Sequence, residues 1–196
     1  MSTPELKARV EKILAARAKH REDLAEWHRS SENGPGKATT DEEWKRRLEY
    51  AEYEVLRLKG TERKGGEYDD FYPSADAGHF ACRGCGKPLY SAESKFKSGC
   101  GWPTFDKCFK DAVDVIEDTS HGMMRLEICC SSCAGHLGHV FAGERMTATN
   151  ERHCVNSPSL LFVKPEGGAP VSSAEESVTS MQKLVQLARS KKLVAS

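Results

Sequence analysis

Apolar positions near the start of the chain recur at helical spacing. Leu6, Val10 and Ile13 are four and three apart, and Leu24 and Trp27 return to the same side. This pattern predicts an amphipathic helix. Arg17 interrupts the stripe, which fits either a docking or dimerising helix or one lying on its own domain. "SENGPGK" breaks the pattern, and Thr40 with Glu43 gives the capping signature of a second helix through about Leu58, stopped by Gly60. From Gly65 to about Phe162 the texture changes to short β-like runs, among them "HFACRGC", "AVDVIED", "MRLEICC", "GHVFAG", "HCVNS" and "SLLFV", punctuated by Gly, Pro and Ser. Ser173 and Glu176 then cap an expected last helix, with Val178, Met181, Val185 and Ala188 on one face and Leu184 beside them. That face is a candidate partner for the N-terminal stripe.

Composition narrows the class. A chain of 196 residues supports one good core with appended helices. Its 29 basic and 29 acidic residues give no general attraction to nucleic acid or anionic membrane. No apolar run approaches the roughly 20 residues of a membrane span, and "MSTPELKARVEKILAARAKHRED" has no apolar signal core. A soluble, cytoplasmic protein is expected, with an organelle left open. In that setting the eight cysteines point to ligands or reactive thiols rather than a disulfide framework.

"CRGC" and "CSSC" form two Cys-x-x-Cys knuckles, Cys82 with Cys85 and Cys130 with Cys133. Each knuckle lets two thiolates reach one small ion, and together they complete the tetrahedron that zinc prefers. Redox-active disulfides or an iron site of the same shape are the alternatives. Four thiolates leave no position for substrate, so the expected zinc is structural. Cys129 is adjacent to Cys130 but lacks the knuckle spacing.

Four cysteines remain. If "RHCVNS" is a strand, Arg152, Cys154 and Asn156 share one face, and His153 and Val155 the other. A guanidinium beside a thiol favours the thiolate, so Cys154 is the candidate nucleophile, set against a buried inert cysteine. In "AGHLGHVF", His136 and His139 fall on opposite faces by strict alternation unless Gly138 permits a bulge. A histidine brought near Cys154 is a candidate proton donor, the alternatives being a second metal site or a hydrogen-bonded core pair. "KSGCGWPTF" puts Cys100 between two glycines, in a loop able to swing toward an oxidised partner, while Trp102 offers an apolar wall. Cys108 competes for the same resolving role.

Four stretches together, "YEVLRLKGTERKGGEY", "CRGCGKPLYSAESKFKSGCGWPTF", "RLEICCSSCAGHLGHVF" and "RHCVNSPSLLF", resemble the type B methionine sulfoxide reductases, the peptide-methionine (R)-S-oxide reductases, from about Tyr50 to Val163. The resemblance implies a mainly β fold of two antiparallel sheets around a core with a structural zinc, flanked here by N- and C-terminal helices. The resemblance covers the middle of the chain, expected as a reductase domain over residues 46–165. The helical patterning predicts a helical N-terminal extension over 1–45 and a C-terminal tail with one helix over 166–196. Cys154 then matches the catalytic cysteine, Cys100 the resolving one, Trp102 the wall that receives the substrate methyl group, and His136 and His139 the active-site histidines. Cys82, Cys85, Cys130 and Cys133 match the zinc ligands, and Arg152 and Asn156 flank the nucleophile as in the family. The implied substrate is oxidised methionine in peptides and proteins, with recycling of a Cys100–Cys154 disulfide by a thioredoxin-type dithiol. A monomer without nucleic-acid or membrane partners is expected.

Three positions depart from the family pattern. Glu144 stands one place from its usual carboxylate, His153 replaces an aromatic residue, and Pro158 a small one. A zinc-ribbon-like binding module and a redox sensor without turnover are the competing readings. The former leaves "SGCGWP", the histidines and the face bearing Cys154 without a task.

Overall fold

Strand β8 (Glu151–Val155) lies between β3 (Thr104–Phe105) and β7 (His136–Ala142), and β6 (Arg125–Cys130) and β5 (Val113–Asp118) extend the same antiparallel sheet beyond β7. A second antiparallel sheet has β1 (His79–Cys82) between β2 (Pro88–Ser91) and β9 (Leu160–Val163). The computed structural model describes residues 4–29, 35–165 and 176–177. Three helices precede the sheets: α1 (Pro4–Arg29), α2 (Asp41–Arg47) and α3 (Tyr50–Leu56). The expected mainly β fold of two antiparallel sheets is the fold observed.

Aromatic side chains join the two sheets. Phe105 of the five-stranded sheet stacks on Tyr90 at a centroid distance of 4.2 Å and meets Phe80 edge-on at 5.0 Å, and Phe80 contacts Phe162 at 5.0 Å. Phe80, Tyr90 and Phe105 are fully buried. Each such pair adds about 0.5–1.5 kcal/mol to the area it buries, so β3, only two residues long, is firmly anchored. Tyr90 also explains the unusual residue at 153: its hydroxyl lies 3.3 Å from Nδ1 of fully buried His153. His153 Nε2 in turn lies 3.3 Å from Glu151.

The helices differ from expectation in two places. The single helix expected from Thr40 to Leu58 is two. Thr40 caps α2 as expected, accepting from Glu43 N at 3.2 Å, but Leu48 turns into extended backbone and its side chain is buried. Glu49 N then donates to Glu52 at 3.0 Å, starting α3. Burying Leu48 outweighs helix continuity. At the C-terminal end, Glu176 and Ser177, expected inside a helix, form strand β10 (Glu176–Ser177) against β4 (Cys108–Phe109); the remainder of that expected helix lies outside the described residues.

Helix α1 buries side chains of its second half in the core. Leu24 and Trp27 are buried, whereas Leu6, Val10 and Ile13 are 45–49% exposed. Trp27 meets Trp44 of α2 edge-on at 5.2 Å, and His28 Nε2 donates to Gly84 O at 3.1 Å. Gly84 belongs to the first cysteine knuckle, so α1 is docked on that knuckle. His20 adds a contact to Glu52 at 2.9 Å, and buried Arg83 binds the same carboxylate at 3.2 Å.

Candidate functional site

Cys82, Cys85, Cys130 and Cys133 converge in the core. All four are buried, and their sulfurs lie within 4.8 Å of one another. The Cys82–Cys133 and Cys85–Cys130 sulfur pairs are 3.7 and 3.5 Å apart. Zinc–thiolate bonds of about 2.3 Å in a tetrahedron put sulfurs ~3.8 Å apart, so this set fits a tetrahedral thiophilic cation. Cys129 takes no part: its Sγ donates to Glu127 at 3.4 Å.

A separate cleft of about 140 Å³ opens on the five-stranded sheet, lined by Trp102, Arg125, His139, Cys154 and Asn156 among others. Strand alternation sets its floor: Glu151, His153 and Val155 are buried, while Arg152 and Cys154 are half-buried on the opposite face. Thr104 and His139 are the cross-strand neighbours of Cys154.

The two histidines share a face because of a bulge. Ile128 pairs with Gly138 but Cys129 with His136, leaving Leu137 as the extra residue. The imidazole rings of His136 and His139 lie 5.7 Å apart. Gly138, at φ +156°, is required here: a Cβ would come within 2.0 Å of Cys154 O.

Each histidine is held by a carboxylate that sequence reading missed. His139 Nε2 donates to Asp118 Oδ2 at 2.8 Å, and Arg125 donates to the same oxygen at 2.8 Å. Hydrogen bonds from Ser120 and His139, with the Arg125 charge, hold Asp118 well below the usual carboxylate range. Because an ionised Asp118 only accepts, Nε2 carries a proton and Nδ1 is the nitrogen that titrates. Burial lowers the His139 pKa, partly offset by Asp118. His136 Nδ1 lies 2.7 Å from Glu127 Oε1, and Lys59 donates to Oε2 at 2.7 Å. Burial pushes Glu127 up, but its bonds to His136 and Lys59 prevail and hold it at about 2. The signal was the acidic alternation of "VDVIED" and "RLE", legible only once the strands were paired.

Cys100 is brought to Cys154, with the sulfurs 3.9 Å apart. Its flanking glycines both have positive φ, +77° at Gly99 and +93° at Gly101. The pair shares one negative charge. The Cys154 S–H stabilises a Cys100 thiolate, drawing Cys100 down to about 5, while that neighbouring charge and burial push Cys154 up. Arg152 pulls Cys154 in the opposite direction. Arg152 is gripped by Glu144 through bonds of 2.5 and 2.8 Å and lies 4.4 Å over the Phe141 ring. Glu144 is thus engaged with Arg152, and the carboxylate on His139 is Asp118.

The remaining wall comes from the segment after α3. Trp102 Nε1 donates to Glu62 O at 3.1 Å, Glu62 N donates to Asn156 Oδ1 at 3.0 Å, and the Glu62 carboxylate accepts from Ser157 N. Asn156 is tied down further by its Nδ2 bond to Leu137 O, 3.0 Å. Cys108 is buried on β4.

The chain is similar to known proteins over most of the described β region. Identity is 49% over 135 residues with the Oryza sativa subsp. japonica protein named peptide methionine sulfoxide reductase B5, covering 68% of this chain and 96% of that one. It is 49% over 126 residues with peptide methionine sulfoxide reductase B3, chloroplastic, of the same plant, covering 63% and 53%. With peptide methionine sulfoxide reductase MsrB of Leptospira interrogans serogroup Icterohaemorrhagiae serovar Lai (strain 56601) it is 46% over 126 residues, covering 64% and 94%. The family model for the SelR domain matches residues 48–164, a span that holds both cysteine knuckles and the whole cleft, and the chain belongs to that family.

Proposed function

We propose that this protein reduces methionine-R-sulfoxide in peptides and proteins to methionine, with Cys154 as nucleophile and Cys100 as resolving thiol. The observation that carries the reading is the 3.9 Å approach of Cys100 and Cys154 at a cleft walled by Trp102 and His139. The names of the relatives support reduction of methionine sulfoxide in peptides.

A sulfoxide becomes a competent electrophile only when its oxygen is protonated or strongly hydrogen-bonded. In the resting pair the charge sits on Cys100; passing the Cys154 proton to it generates the attacking thiolate, which Arg152 stabilises. The Cys154 sulfur then bonds to the substrate sulfur, and Nδ1 of protonated His139 delivers a proton to the oxygen. Asp118 fixes the ring. The hydroxyl then passes from the substrate sulfur to the Cys154 sulfur as the substrate S–O bond and the new S–S bond break, so that methionine leaves as the thioether and Cys154 is left as a sulfenic acid. General-acid help of this kind is worth about 100- to 10,000-fold.

Cys100 attacks the sulfenic sulfur, and water departs as the disulfide forms. The sulfurs close from 3.9 Å to about 2.05 Å, a movement suited to a loop hinged at Gly99 and Gly101. A dithiol protein of the thioredoxin type restores both thiols by exchange. Trp102 receives the methyl group and Asn156 positions the reacting groups, so the chirality at sulfur is read by where methyl and oxygen fit. Cys82, Cys85, Cys130 and Cys133 hold zinc, which supplies no reaction step and ties the β1 knuckle to the β6 knuckle.

The test is product formation from equal amounts of methionine-R- and methionine-S-sulfoxide in a blocked peptide, with dithiothreitol, for wild type and Cys154→Ser. Consumption of the R form alone, lost in the variant, is expected. No turnover by a folded, metal-loaded wild type sinks the reading.

A further inference from the structure

Cys129 has no task in the chemistry above, yet it sits in a cluster with the donor set of a metal site. Glu127 and Cys129 are two apart on β6 and so share a face, and the bulge places His136 directly opposite Cys129. All three are buried, and one ligand atom from each lies within 4.8 Å of the others. Glu127 Oε1 is the common point, 3.4 Å from Cys129 Sγ and 2.7 Å from His136 Nδ1.

These distances can be compared with what a tetrahedral cation needs. Bonds of about 2.0–2.1 Å to oxygen and nitrogen and 2.3 Å to sulfur put oxygen and sulfur ~3.6 Å apart, and oxygen and nitrogen ~3.3 Å apart. The first edge is already formed, and the second requires a small opening. Lys59 occupies the other carboxylate oxygen, Oε2, and its side chain is 63% exposed, so it forms a polar lid over a buried trio. A thiol is a weak hydrogen-bond donor, so Cys129 adds little to the network as it stands. As a thiolate it is a strong ligand for borderline cations, and imidazole and carboxylate complete a set common for zinc.

We propose that Glu127, Cys129 and His136 form a second, reversibly filled site for Zn2+ or a similar divalent cation, and that filling it restrains the reaction. Binding releases the Cys129 thiol proton to solvent and moves the His136 ring proton from Nδ1 to Nε2. That turns Nε2 from hydrogen-bond acceptor to donor on a ring whose centroid lies 5.7 Å from that of His139. The inhibitory consequence rests on the proposed reductase reading; the binding does not.

The experiment separates the two. Full-length protein carrying Cys100→Ser and Cys154→Ser, with its four-cysteine site loaded, is titrated with Co2+. One further equivalent should bind with a thiolate-to-cobalt charge-transfer band, and adding Cys129→Ser should abolish that band while circular dichroism and the metal content of the four-cysteine site stay unchanged. No further equivalent, or a band that survives Cys129→Ser, overturns the site. Cys129→Ala serves if the serine variant does not fold. In the otherwise wild-type protein, Zn2+ should slow sulfoxide reduction, and Cys129→Ser should lose that component of inhibition. Inhibition identical in the two proteins overturns the regulatory role. Absence of turnover without added Zn2+ instead counts against the reductase reading, leaving the cobalt result intact.

Discussion

Asp118, at the end of the outermost strand β5, reaches across β6 to hold His139 Nε2 at 2.8 Å. The carboxylate fixes both the tautomer and the orientation of the ring that faces Cys154. Asp118→Asn retains an acceptor but removes the charge, and Asp118→Ala removes both. Single-turnover methionine formation should fall by about 10-fold or more for Asn and further for Ala, with little change in KM. Undiminished single turnover in both would remove Asp118 from the chemistry.

Cys100→Ser removes the resolving thiol and the local acceptor of the Cys154 proton, but the nucleophile stays in place. With the neighbouring thiolate gone and Arg152 beside it, Cys154 can lose its proton to solvent and carry out the first step. One methionine should form per chain without reductant, and a sulfenic acid should be trapped at Cys154 by dimedone. Turnover with thioredoxin should collapse while dithiothreitol still supports the reaction. Normal thioredoxin-driven turnover would transfer the resolving role elsewhere, Cys108 being the first candidate.

The shared charge of the thiol pair sets a pH signature. Cys100, drawn to about 5 by the Cys154 S–H, should react with iodoacetamide at a nearly constant rate above that pH and slow as pH falls through it. Cys154→Ala removes the donor, so the midpoint should move up toward the ordinary thiol range. An unmoved midpoint would mean that the partner thiol does not set it.

Glu127 provides a separate acid-side signature. Its pKa of about 2 in the folded protein lies below the ordinary value near 4.3. Because the folded value is depressed, the stabilisation is present above the ordinary pKa and is lost as pH falls from there through about 2. Glu127→Gln should therefore flatten the dependence of unfolding free energy on pH between about 5 and 2 relative to wild type. Equal slopes would refute it.

Gly138→Ala tests the close approach of β7 and β8. The added methyl would collide with Cys154 O, so a loss of at least ~1–3 kcal/mol in unfolding free energy is expected, with loss of sulfoxide reduction from the displaced nucleophile. Wild-type thermal stability in this variant would contradict the close approach.

The legibility of the fold tracked the range of the physics involved. The alternation that puts Arg152 and Cys154 on one face is local and was readable, as was the pairing of knuckles, because ligand spacing is written along the chain. The α2–α3 break was not, since it turns on burial of Leu48, which depends on what surrounds it. Neither was Asp118: nothing along the sequence between 118 and 139 says that β5 and β7 flank the same strand. The bulge at Leu137 was foreseen only as a possibility opened by Gly138, and it needed the β6 register to become definite. The partner of Glu144 was likewise hidden, since a carboxylate eight residues from Arg152 can meet it only after the β7–β8 turn brings them together.

The bond from the Trp102 indole to Glu62 O, and from Glu62 N to Asn156, makes the ceiling of the cleft out of chain that comes before the first strand. A fragment begun at His79 would keep every strand of both sheets and all eight cysteines, and would still have a roofless pocket. The smallest piece able to recognise a substrate is therefore longer than the smallest piece able to form the sheets, and it starts upstream of Thr61.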